Sequence, residues 1–98
     1  MKTLAEILHI LALEKEELRA RFGVKNIGIF GSWVRGEQVA TSDLDILVEF
    51  EHPIGWEIVD LHEYLEELLG VKVDLVSANA VKRKPKLWHA IQQELTYA

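Results

Sequence analysis

Ile27-Gly-Ile-Phe-Gly-Ser-Trp-Val-Arg-Gly-Glu-Gln-Val-Ala-Thr-Ser-Asp-Leu-Asp-Ile-Leu-Val-Glu-Phe50 is the stretch on which the fold turns. Ile27, Ile29 and Phe30 form a short β-branched and aromatic run that stops at Gly31-Ser32, so a buried strand is expected to end there. Gly31 permits close approach of a ligand to the backbone, and Ser32 is a favourable N-cap for a helix predicted from about Trp33 to Gln38. A capping box would place Glu or Gln three residues after Ser32, yet Arg35 stands there. The free N–H groups and the positive end of the helix dipole are therefore left for an external anion, such as a phosphate.

The second half of the stretch supplies the opposite charge. From Asp43 to Phe50 the residues alternate, so Leu44, Ile46, Val48 and Phe50 share one face of a strand while Asp43, Asp45, Leu47 and Glu49 share the other. Asp43 and Asp45 then project together, with Cα atoms roughly 6.5 to 7 Å apart. At an effective dielectric near 20 they repel by about 2 to 3 kcal/mol, a cost that a cation between them removes. Hard carboxylate oxygens with open positions suit Mg²⁺, which is held by one or two carboxylates plus substrate phosphates. Anion-binding turn and acidic strand together predict a nucleoside triphosphate held across them, with metal ions bridging protein and phosphate oxygens.

Outward from this centre, residues 3–21 read as an amphipathic helix capped by Thr3 with Glu6 and ended by Gly23. Pro53 and Gly55 break the chain before a helix from about Gly55 to Leu69, for which Gly70 is a fitting C′ residue. Its Glu57, Asp60, Glu63 and Glu67 read as a solvated face, and His62 with Glu66 makes at best a weak metal pair. Residues 71–76 read as a third strand from which one carboxylate, Asp74, emerges on the face opposite Val71, Val73 and Leu75. An unpaired buried Asp is costly. Laid beside the 43–50 strand, Asp74 would complete a three-carboxylate cluster able to hold two Mg²⁺ ions; at an edge, it would simply pair with Lys72 or another cation. Val81 to Lys86 reads as a basic loop, and Pro85 opens a last helix through about Leu95. Trp33 could stack on a base, meet a partner or pack internally, and Trp56 and Trp88 read as core or interface residues.

Gly31-Ser32, ten residues, then Asp43-x-Asp45 resembles the signature of the polymerase-beta nucleotidyltransferase superfamily, with Arg35 to Glu37 and Ser42 also as that pattern has them. The small size and the ending Ile91-x-x-Glu94-x-x-Tyr97 look like those of the minimal nucleotidyltransferase antitoxins. The resemblance spans roughly residues 20–98 and is strongest over 28–50. It implies an α/β (α+β) fold with a small mixed sheet and helices mainly on one face, catalytic and metal-holding Asp43, Asp45 and Asp74, and nucleotide-binding Gly31, Ser32, Arg35 and Ser42. From the residues alone, Arg35 could equally pair with Glu37 or Glu49. The resemblance further implies transfer of AMP from ATP to a tyrosine of a HEPN-type ribonuclease toxin, in a type VII-like toxin–antitoxin pair assembled as a hetero-oligomer. Larger members carry a helical region that grips the acceptor, for which this chain has no room. Two other readings stand beside it: a catalytically silent antitoxin that acts by steric binding, and nucleotidyl transfer to a small molecule.

Composition narrows the class. Ninety-eight residues, 49% of them hydrophobic, fit one domain over 1–98 with a small core. Without cysteine there are no disulfides or thiolate metal sites, and with no membrane-length apolar run or leader the expected place is the cytoplasm. A net charge of −5 disfavours polynucleotide binding and leaves a small, metal-neutralised phosphate as the expected ligand.

Overall fold

The computed structural model describes residues 2–98. Ten elements follow in order: α1 (Leu4–Leu13), α2 (Lys15–Phe22), β1 (Val24–Phe30), α3 (Ser32–Arg35), β2 (Leu44–Phe50), α4 (Glu57–Leu69), β3 (Val73–Ser77), α5 (Ala78–Lys82), α6 (Pro85–Glu94) and β4 (Thr96–Tyr97). The sheet runs β3-β2-β1-β4. β1 is antiparallel to both β2 and β4, whereas β2 and β3 are parallel, joined by the α4 crossover. This is the mixed sheet expected from the sequence.

Period-two alternation gives the sheet two different faces. Leu44, Ile46 and Val48 of β2 join Ile27, Ile29 and Val73 in the main core, closed by Ile7 and Leu11 of α1, Leu18 and Phe22 of α2, and Leu61, Leu65 and Leu69 of α4. Leu47 points the other way into a smaller cluster with Ala78, Val81 and Ile91, against which Phe30, Val76, Trp88 and Leu95 pack. α1, α2 and α4 thus lie on one face, and α5 and α6 close part of the second.

Local chemistry accounts for the boundaries, including those that differ from the sequence expectation. Thr3 and Glu6 form the reciprocal capping box, and Gly23 ends α2 with φ +69°. The expected single helix over 3–21 is broken at Glu14, whose N–H is shared between the Ile10 and Leu11 carbonyls. No apolar residue lies between Leu13 and Leu18 to hold a straight helix on the sheet. β1 begins earlier than the apolar run because a bulge between Val24 and Asn26 lets Val24 and Ile27, an odd number of residues apart, both face the core. α3 is one turn, ended by Gly36 at φ +71°, and its N-cap is Gly31 rather than Ser32. β3 starts two residues later than expected. α5, capped by the Ser77 hydroxyl, and the two-residue β4 carry no periodic signal.

The outer edge of β3 is occupied by α4. Glu66 Oε2 accepts the Val73 N–H at 2.8 Å, and His62 Nε2 donates to the Val73 carbonyl at 2.6 Å. His62 and Glu66 therefore serve the sheet rather than a metal. Trp33 is 2% exposed and belongs to the main core, whereas Trp56 is 88% exposed and is not a core residue. No helix among the described residues is long and apolar enough to cross a membrane. Leu65, fully buried between α4 and the sheet, should be intolerant of truncation. Leu65→Ala is expected to lower stability by about 2 to 5 kcal/mol, read as a lower urea midpoint with an unchanged slope.

Candidate active site

Strand pairing brings the predicted residues to one corner. Phe30 of β1 opposes Asp45 of β2, and Asp45 is in register with Asp74 of the parallel β3. Residues paired in a sheet share a face, so the row Phe30, Asp45, Asp74 lies beside the apolar row of Gly28, Leu47 and Val76 on the less covered face. Gly31 follows Phe30 directly. Its φ of +81° and ψ of −153° suit only glycine, and a Cβ there would collide with the Asp45 carboxylate. The glycine lets the turn sit directly against the acid.

Asp45 is half-buried while Asp43 and Asp74 are exposed. Burial, then the Asp74 charge, then a hydrogen bond with Asp74, and finally the Asp43 charge, push the Asp45 carboxyl up to about 6; Arg35 opposes this weakly. Asp74 forms no ion pair among the described residues, so the alternative of an edge Asp matched with Lys72 is not what the chain adopts. Asp43 lies just before β2 and acts on Asp45 through charge alone. Among the described residues no group of three or more histidine or carboxylate side chains comes together closely enough to hold a metal ion, so the three-carboxylate cluster expected from the sequence is not assembled here. The strands present the Asp45–Asp74 pair with Asp43 beside it: hard, crowded, like-charged oxygens with open positions, a donor set that fits Mg²⁺ shared with phosphate.

Around the acids the donors divide. The Ser32 and Trp33 N–H groups and the Ser32 hydroxyl have no hydrogen-bond partner among the described residues. Ser42 accepts the Val39 N–H at 2.9 Å, tying the loop that leads to Asp43, and borders a cleft of about 490 Å³ with Trp33, Thr41 and Lys72. Asp74 borders a separate groove of about 300 Å³ between α4 and β3. Arg35 is paired with Glu37 at 2.9 Å and with Glu94 at 3.0 Å, not with Glu49, which instead holds Asn26 and Lys82. Glu94 also accepts the Gly31 N–H at 3.0 Å. The sequence showed Glu94 only as part of a familiar ending, with no sign that it reaches the turn.

A family model for the nucleotidyltransferase domain matches residues 14–98. The chain belongs to the nucleotidyltransferase domain family. It is 55% identical over 83 residues to "Protein adenylyltransferase MntA" of Thermococcus cleftensis, covering 84% of each protein. A solved structure described as "putative minimal nucleotidyltransferase" superposes with TM-score 0.72 at 36% identity, covering 94% of this chain and 88% of that one. A solved toxin–antitoxin with AMP-PNP contains a chain matched with TM-score 0.69 at 25% identity, over 85% of this chain and 67% of that one. The chain thus joins the nucleotidyltransferase fold with a Gly31-Ser32 turn set beside Asp45.

Two outcomes follow from the corner. Gly31→Ala should lose about 1 to 3 kcal/mol of stability in urea unfolding, because the glycine-only conformation and the Asp45 contact both forbid a side chain. An acid raised in the folded state stabilises most fully below its unfolded value near 3.8, and this contribution disappears as pH rises through about 6. In EDTA, Asp45→Asn should therefore melt above the wild type at pH 7.5, and the gap should close as pH falls towards 4; melting curves across that range check it.

Proposed function

We propose that the chain is a Mg²⁺-dependent protein adenylyltransferase and the antitoxin of a toxin–antitoxin pair, moving AMP from ATP to a tyrosine of a HEPN-type ribonuclease toxin. The observation that carries this reading is the in-register Asp45–Asp74 pair set against the Gly31-Ser32 turn. The Thermococcus relative named as a protein adenylyltransferase and the solved toxin–antitoxin neighbour with AMP-PNP support it.

In this reading Asp43, Asp45 and Asp74 would hold Mg²⁺ together with the substrate phosphates, and the ion would neutralise phosphate charge and make the α-phosphorus a better electrophile. The Ser32 and Trp33 N–H groups and the Ser32 hydroxyl hold the triphosphate, and Arg35, three residues beyond Ser32 and paired with Glu37 and Glu94, offsets part of its charge. Ser42 acts through the loop that carries Asp43. Asp74, exposed and without an ion-pair partner, accepts the proton of the incoming tyrosine hydroxyl. A bond forms between that oxygen and the α-phosphorus, the bond from the α-phosphorus to the bridging oxygen breaks, and pyrophosphate leaves. The chain is assembled with its toxin in the cytoplasm, where ATP is at hand.

Incubation with ATP, Mg²⁺ and a HEPN-type toxin should add one adenylyl group to a toxin tyrosine, seen by mass spectrometry. Asp74→Asn should slow that transfer by about 10²- to 10⁴-fold. The double change Asp43→Asn, Asp45→Asn should abolish both modification and protection of toxin-expressing cells. Protection that survives the double change would mean steric neutralisation instead.

A further inference from the structure

The turn that begins the nucleotide site is held from the far end of the chain. β4 pairs with β1 through Gly28 opposite Tyr97 and Ile29 opposite Thr96. Continued by two residues, that register sets Gly31 opposite Glu94, and there the ladder is completed by a side chain: Glu94 Oε1 accepts the Gly31 N–H at 3.0 Å. The same carboxylate takes Arg35 Nη1 on both oxygens, at 3.1 and 3.0 Å. Glu94 is itself fixed on both sides, by Ile91 and Leu95 in the smaller core and by Thr96 in β4.

We propose that Glu94 is a positioning residue for nucleotide binding, holding the Gly31-Ser32 turn and the Arg35 guanidinium in place beside Asp45. This rests on the nucleotidyltransferase reading above. Gly31 is gripped from opposite sides: its N–H turns to Glu94 on the β4 side of β1, while the position of its missing Cβ is filled by Asp45 on β2. Fixing the amide therefore fixes the distance between the turn and the acids. Arg35 is half exposed, and without Glu94 its only anchor is Glu37, two residues away on the same loop. The carboxylate does not occupy the phosphate donors, because the Ser32 and Trp33 N–H groups and the Ser32 hydroxyl remain unbonded. Glu94 thus supports the anion site from behind rather than filling it.

Calorimetric titration of the full chain with ATP and Mg²⁺, with folding checked by melting curves, separates the possibilities. Glu94→Ala should weaken binding about tenfold or more, as expected for losing hydrogen bonds to a charged group. Glu94→Gln, which keeps an acceptor for Gly31 but loses the charge facing Arg35, should fall between. Arg35→Ala should cost less in the Glu94→Ala background than in the wild type, because the two act as one unit. Amide exchange at Gly31 without nucleotide should be faster in Glu94→Ala only.

Wild-type binding with both Glu94 variants equal or tighter overturns the positioning role and leaves the nucleotide reading standing. No binding by the wild type removes the reading and this role together. Should Glu94→Ala fail to fold, Glu94→Gln decides: weaker binding supports the role and unchanged binding overturns it.

Discussion

Everything at this site follows from two carboxylates being placed side by side on parallel strands. The Asp45–Asp74 contact is unfavourable while both are charged, and after burial, the larger cause, it pushes the Asp45 carboxyl up. What holds it is the opposite face of the same strands. Leu44, Ile46 and Val48 are fully buried under α1, α2 and α4, and a slip of one residue would turn Asp45 into that core and these three residues out. The apolar face fixes register, and register keeps the acids together.

β1 transmits that placement to the turn. It lies between β2 and β4, so its last residue is set against Asp45 on one side and the end of the carboxyl-terminal segment on the other. Gly31 is the hinge of this arrangement, being the only residue type that fits both its dihedral angles and the Asp45 contact. The short α3 then ends at Gly36 after one turn and leaves its first N–H groups open. Fold and candidate site are not separable here, since the strands that build the core also carry the paired acids.

The sequence disclosed the site where a local period carries information. Alternation from Asp43 to Phe50 put Asp43 and Asp45 on one face, and a lone Asp in the otherwise apolar third strand pointed to Asp74. Their meeting depends on a parallel pairing across 29 positions, from Asp45 to Asp74, which only the shared pattern and the family resemblance suggested. Glu94 was out of reach for the same reason: its partner Gly31 is 63 residues away and no periodicity links them. Gly31 displaced Ser32 as the cap because the turn must pass Asp45, a constraint invisible locally. The break at Glu14 and the two-residue β4 are likewise decided by packing rather than propensity. Trp56, left 88% exposed, departs only from the core half of its core-or-interface reading, since large apolar residues are buried only on average.

An open sheet rim invites a second chain to add a strand, and this fold has such a rim at β3 beside its paired acids. There α4 intervenes: Glu66 and His62 engage both outward groups of Val73. Strand addition starting at that position would have to displace two side chains first, so the rim resists ribbon-like self-association at Val73, where misassembly would also cover the acidic corner.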